Sequence, residues 1–150
     1  MKVIEGTEHR TSECEIIDIS IPGSVDLVVL ARFTAATIGA RAGFDLDEID
    51  DLRLAVDELS ISFGPLDASV CLRFEFVREG SNVTVRCTSE PMTGVADTAD
   101  IRRDLDVIGW EQARELSEQL LRELVDAHGR EVTNDRTVAW LRKQRRASTG

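Results

Sequence analysis

The chain has 150 residues, 42% of them hydrophobic and 31% charged, with a formal charge of −10. That size and mixture suit one globular domain with a core of its own. No apolar run approaches the roughly 20 residues of a membrane span, and the charged stretch 1–11 lacks the apolar centre of a secretory leader.

The charge is uneven: residues 1–128 hold 26 acidic and 12 basic side chains, a net of −14, whereas residues 129–150 hold two and six, a net of +4. A body so acidic is repelled by phosphate backbones, which argues against a direct nucleic-acid partner. The cluster Arg142, Lys143, Arg145, Arg146 reads most simply as a solvated basic tail, its end over 145–150 lying beyond the folded domain. Cys14, Cys71 and Cys87 cannot all pair with one another and show no C-x-x-C spacing. Free, buried thiols in a reducing, cytoplasmic setting are therefore expected, least firmly for Cys14 near a polar end.

In chain order, residues 1–12 lack periodicity and are expected to be flexible; the folded domain is placed at 13–144. Residues 14–21 (CEIIDISI) read as a strand, and Pro22-Gly23-Ser24 stops it and offers Ser24 as a helix N-cap. From 25 to 42, Val28, Val29, Ala31, Phe33, Ala36 and Ile38 recur at helical spacing, and Gly43 supplies the stop. Asp45 or Asp47 caps a second helix whose apolar stripe is Ile49, Leu52, Val56, Leu59 and Phe63; Leu54 and Ile61 lie elsewhere on it, so it is expected to be central and well buried. Gly64-Pro65 ends it.

Residues 70–77 and 83–87 alternate and form a hairpin about the turn 79–82. The acidic stretch 88–106 shows no pattern and reads as a long loop or a short irregular helix. A third helix over 109–126 has Trp110, Ala113, Leu116, Leu120 and Leu124 as its stripe, and residues 130–133 and 137–141 make a second hairpin. The order β-α-α-β-β-α-β-β fits an α+β fold: a two-layer sandwich, three helices on one face of a mixed, mainly antiparallel sheet. Trp110 and Trp140 are both expected in the core.

The most informative segment is DDLRLAVDELSISF, residues 50–63. Glu58 lies in an otherwise apolar stretch with Ser62 four residues on, on the same helix face; such a carboxylate either meets water at the helix edge or needs a partner. The pattern Pro22, Arg32, then Asp51-Leu52-Arg53-Leu54-Ala55-Val56-Asp57-Glu58, with the closing Thr137-Val138-Ala139-Trp140-Leu141-Arg142-Lys143, resembles the bacterial anti-sigma-factor serine/threonine kinases, members of the histidine-kinase-like (Bergerat) ATPases. The likeness covers about residues 14–143. It implies that fold, a cytoplasmic role, and ATP with Mg²⁺ as cofactors of an intact member.

In that family the second helix carries a Glu as general base and, four residues later, an Asn that holds Mg²⁺ on the ATP phosphates. Glu58 matches the first, and Ser62 stands for the Asn with a shorter, weaker ligand. Ser89 falls where an Asp reads adenine, and Pro91 where a glycine follows. Glu115 and Ser117 fall at the phosphate-binding glycines, unless Gly109 opens that loop instead. The resemblance thus implies a degenerate member that uses no cofactor. It would regulate transcription by binding a sigma factor, an anti-sigma-factor antagonist, or both.

The alternative is an active kinase that phosphorylates the antagonist with Glu58 as base. Partner contacts in the family lie largely on the first helix, where Arg32 matches a family arginine; Arg32 either pairs with a partner carboxylate or only snorkels over the helix. Family members often dimerise through the sheet, so a homodimer is also expected. The run 45–51 is either a solvated helix start or a lure for a basic partner. His9 and His128 stand alone, so no metal site is expected.

Overall fold

A computed structural model describes residues 14–67, 69–92, 99–133 and 136–147. The expectations for 1–12, for Asn134 and Asp135 in the last turn, and for 148–150 of the tail lie outside the described residues. Strand β1 (Cys14–Pro22) leads through a short 3-10 turn (Val25–Leu27) into helix α1 (Val28–Arg41) and helix α2 (Leu46–Ile61). Strands β2 (Val70–Glu79) and β3 (Asn82–Pro91) follow, then helix α3 (Ala99–Leu124) and strands β4 (Ala127–Thr133) and β5 (Arg136–Gln144). The sheet order is β1-β2-β3-β5-β4, and every ladder is antiparallel. The α+β fold is as expected, the sheet being antiparallel throughout rather than mixed.

Alternation along the strands sets the layers. Ile21, Leu72, Phe74, Phe76, Val83, Val85, Cys87, Ala139 and Leu141 are buried with Ala31, Ala35 and Ile38 of α1, Leu52, Ala55, Val56 and Leu59 of α2, and Leu121 of α3. Phe74 and Phe76 stack with ring centroids 6.1 Å apart; burying each contributes about 1.5–3 kcal/mol. The opposite sheet face carries no helix among the described residues, and Trp140 lies on it: Ala139 and Leu141 point inward, so Trp140 points out, lying across Gly129 of the neighbouring strand. Trp140 is therefore a half-buried cross-strand residue and not a core one.

The helix starts are local chemistry. Asp45 caps α2, its Oδ1 accepting from the Glu48 N–H at 2.8 Å while Glu48 Oε1 accepts from the Asp45 N–H at 3.0 Å. Gly43 (φ 82°) and Gly64 (φ 78°) follow the first and second helices in the left-handed region that glycine enters freely. Ser24 caps only the 3-10 turn and makes no side-chain cap bond, because α1 begins later, at Val28.

Other expectations are corrected. The stretch 88–106 is no long loop, since β3 runs to Pro91 and α3 begins at Ala99. The buried row of α3 is displaced by one residue: Ser117 and Leu121 are buried while Leu116 is exposed. Leu54 and Phe33 are exposed, so α1 and α2 are less enclosed than their apolar content suggests. Of the three free cysteines only Cys87 is buried, and burial pushes its thiol well above the ordinary range; Cys14 is exposed.

Of the basic cluster, Arg142, Arg145 and Arg146 are exposed as expected, but Lys143 is not solvated and the segment is tied to the domain. Lys143 is buried on β5 and donates to the Leu124 carbonyl at 2.7 Å, closing the end of α3, with Asp51 3.8 Å away. Beyond it the Arg146 N–H donates to Glu48 Oε2 at 2.8 Å, and its guanidinium reaches Asp51 at 3.4 Å. Glu48 is nearly inaccessible, and these two amide donors satisfy its carboxylate.

One ion cluster ties strand to strand and sheet to helix. Glu15 on β1 faces Arg78 on β2, which donates from Nε at 2.6 Å; Arg41 at the end of α1 donates to the same carboxylate from Nε at 2.7 Å. The hydrogen bonds from Arg41 and then Arg78 hold the Glu15 carboxyl at about 2, against an ordinary 4.5. A depressed carboxyl contributes stability that is complete above the unfolded value and lost as pH falls toward the folded one. Glu15→Gln is expected to flatten the acid limb of the stability curve between pH 4.5 and 2, and urea midpoints measured across that range check it.

Candidate functional site

Helix α2 lies between α1 and α3, and Glu58 is on its last turn. The buried row Leu52, Ala55, Val56, Leu59 turns toward the sheet, which leaves Asp57 on the α1 side and Glu58 toward α3. Ser62, one residue past the helix, keeps helical angles (φ −60°, ψ −17°), so its four-residue relation to Glu58 survives.

On the α3 side the contact is direct. Ser117 is buried in the row that meets α2, and its Oγ–H donates to the Glu58 backbone carbonyl at 2.8 Å. Trp110, two turns earlier, lies over the turn at Gly64, its Nε1 3.7 Å from where a Cβ would stand. Of the two residues matched to phosphate-binding glycines, Ser117 meets α2, whereas Glu115 is exposed. Gly109 lies within α3 and opens no loop there.

On the α1 side Arg32 Nε stands 3.2 Å from Asp57 Oδ1, close enough for charge pairing but not aligned as a hydrogen bond. Arg32 remains 37% exposed. Burial raises the Asp57 carboxyl, Arg32 works against that, the neighbouring Glu58 charge adds to it, and Arg53 lowers it. Arg53 in turn stands 3.7 Å from Asp50.

The remaining expected positions sit in regular sheet. Ser89 pairs across the ladder with Leu72, and Pro91 with Val70, at the far end of β3; the Met92 N–H then donates to the Ser69 carbonyl at 2.8 Å. The structure thus brings Arg32, Asp57 and Glu58 onto one helix and its α1 neighbour, and sets Ser89 and Pro91 on a strand. Sequence reasoning missed the hydrogen bond from Ser117. Its trace was a small polar residue four positions before Leu121, in a row otherwise apolar.

No family model matches the chain, and no curated protein matches it. Among solved structures it is similar to a chain in the crystal structure of the SiaB–SiaC complex from Pseudomonas aeruginosa. The TM-score is 0.50 and the identity 14%, over 94% of this chain and 96% of that one. The likeness is one of fold, and it spans nearly the whole of both chains. Among the described residues no helix is long and apolar enough to cross a membrane.

If the bond between Ser117 and Glu58 fixes the seam, removing the hydroxyl leaves a buried carbonyl unpaired. Ser117→Ala is expected to cost about 1–3 kcal/mol, measured as a lower urea midpoint at unchanged slope.

Proposed function

We propose that this chain is a cytoplasmic, anti-sigma-factor-like regulator. It acts by binding a sigma factor, an anti-sigma-factor antagonist, or both, through a domain whose nucleotide site has lost its function. The observation that carries this reading is the 2.8 Å hydrogen bond from Ser117 to the Glu58 carbonyl. In the family that the sequence resembles, glycines at the Ser117 position let backbone amides approach phosphates; here α3 rests on α2 through a side chain instead. The substitutions at Ser62, Ser89 and Pro91 weigh the same way. The likeness in fold to a chain of a two-protein complex agrees with a protein partner.

The alternative kinase reading draws on one observation: the Glu58 carboxylate is half-exposed and has no ion-pair partner among the described residues. Calorimetric titration with ATP and Mg²⁺ separates the two. No heat of binding is expected; low-micromolar affinity, or transfer of labelled phosphate to an antagonist protein, removes the degenerate-site reading.

The binding surface assigned in this reading is α1, with Arg32 facing the partner. Arg32→Ala is expected to weaken capture of a sigma factor or antagonist by about tenfold or more. Unchanged capture takes Arg32 out of the interface.

A further inference from the structure

Helix α1 is apolar almost all round. One row, Val28, Ala31, Ala35 and Ile38, is buried, while on the opposite side Leu30 is 47% and Phe33 60% exposed, just after Val25 at 74%. Single exposed apolar side chains are ordinary. Here three fall within nine residues, and Leu54 on the outer side of α2 is exposed as well. Half-exposed Val29 and Ala36 lie between, by helical spacing, on the flank of α1 that turns toward α2.

The charges around this strip are one-sided. Every arginine of the two helices is engaged: Arg32 with Asp57, Arg41 with Glu15, Arg53 with Asp50. Asp26, Asp47 and Glu58 have no ion-pair partner among the described residues, and Asp26 and Asp47 are exposed. The acids on the inner side of α2, Glu48 and Asp51, are already taken by the chain's own Lys143 and Arg146. Unspent charge on the two helices themselves is therefore negative, Arg145 of the following segment lying against the Gly43 turn. It repels anionic lipid and nucleic acid and attracts a cationic protein segment. Two antiparallel helices side by side present a groove along their axes, in which a third helix seats residues at spacings of three and four.

We propose that the outer side of α1 and the adjoining side of α2 dock a cationic amphipathic helix of a partner protein. Its apolar face would rest on Leu30, Phe33 and Leu54, with its lysines or arginines against Asp26 and Asp47. This rests on the reading that the chain works by binding a protein, and it supplies the chemistry of that partner.

The test uses the full chain and two fluorescent helical peptides with the same leucine face, one with lysine and one with glutamate at its polar positions. Anisotropy titration is expected to give at least about tenfold tighter binding of the lysine peptide, weakening with added salt. Phe33→Ala is expected to cost about tenfold, and Asp47→Asn about two- to threefold with a shallower salt dependence. Circular dichroism of both variants shows that the fold is kept. Equal affinity for the two peptides, or full affinity in Phe33→Ala, overturns the proposal. The two readings fail separately. A captured sigma factor or antagonist that is lost in Arg32→Ala but kept in Phe33→Ala and Asp47→Asn sinks cationic docking and leaves the regulator. A lysine peptide that binds through Phe33 while neither protein is captured supports the docking surface alone.

Discussion

One face of the sheet, running from Ile21 through Leu72, Phe74 and Phe76 to Val83, Val85, Ala139 and Leu141, has to be kept from water, and among the described residues only that face has a layer to cover it. Three helices do so, and their placement follows. Small residues on α1, Ala31, Ala35 and Gly39, let it lie close to the sheet and to α2; a Cβ at Gly39 would stand 3.2 Å from Phe44 and 3.3 Å from Leu52. Helix α2 occupies the middle and α3 closes the other side through Ser117. With both flanks of α2 in contact, the outward surfaces among the described residues are the far sides of α1 and α3, the outer strip of α2 and the opposite sheet face.

Elements whose signals are local were legible in the sequence. The strands announced themselves by alternation and α2 by its apolar stripe after a capping Asp45 or Asp47; the structure selects Asp45, paired with Glu48 in a cap that needs no tertiary partner. The first half of α3 did not: Ala99–Leu124 opens with ADIRRDLDVI, in which Ile101, Leu105 and Ile108 hold a helical spacing diluted by charge. The end of β3 was missed for a related reason. Thr88 to Pro91 carry no apolar alternation, and their extended form comes from ladder bonding to β2, which composition does not express. Phe33 and Leu54 were misplaced because a helix with apolar residues on every side does not say which side is covered. The basic cluster was misread because its partners, Glu48 and Asp51, are remote in sequence.

Of the candidate site, the position of Glu58 and its relation to Ser62 could be read from spacing alone, since a helix fixes them. Arg32 could be put on the first helix, but its pairing with Asp57 depends on how α1 and α2 cross. The seat of Ser117 could not be read at all, because the family's glycine positions fall on Glu115 and Ser117 alike. Only the helix phase separates them.

The hydrogen bond from the Arg146 amide to Glu48 joins residues 98 apart in sequence. During synthesis the first turn of α2 emerges early, yet its buried carboxylate lacks this donor until the final strand has been made and laid beside β3. Contacts of that separation are slow to form. In the nascent chain water holds the place of that donor, and the carboxylate of the first turn of α2 exchanges it for the Arg146 amide only when the end of β5 is laid beside it.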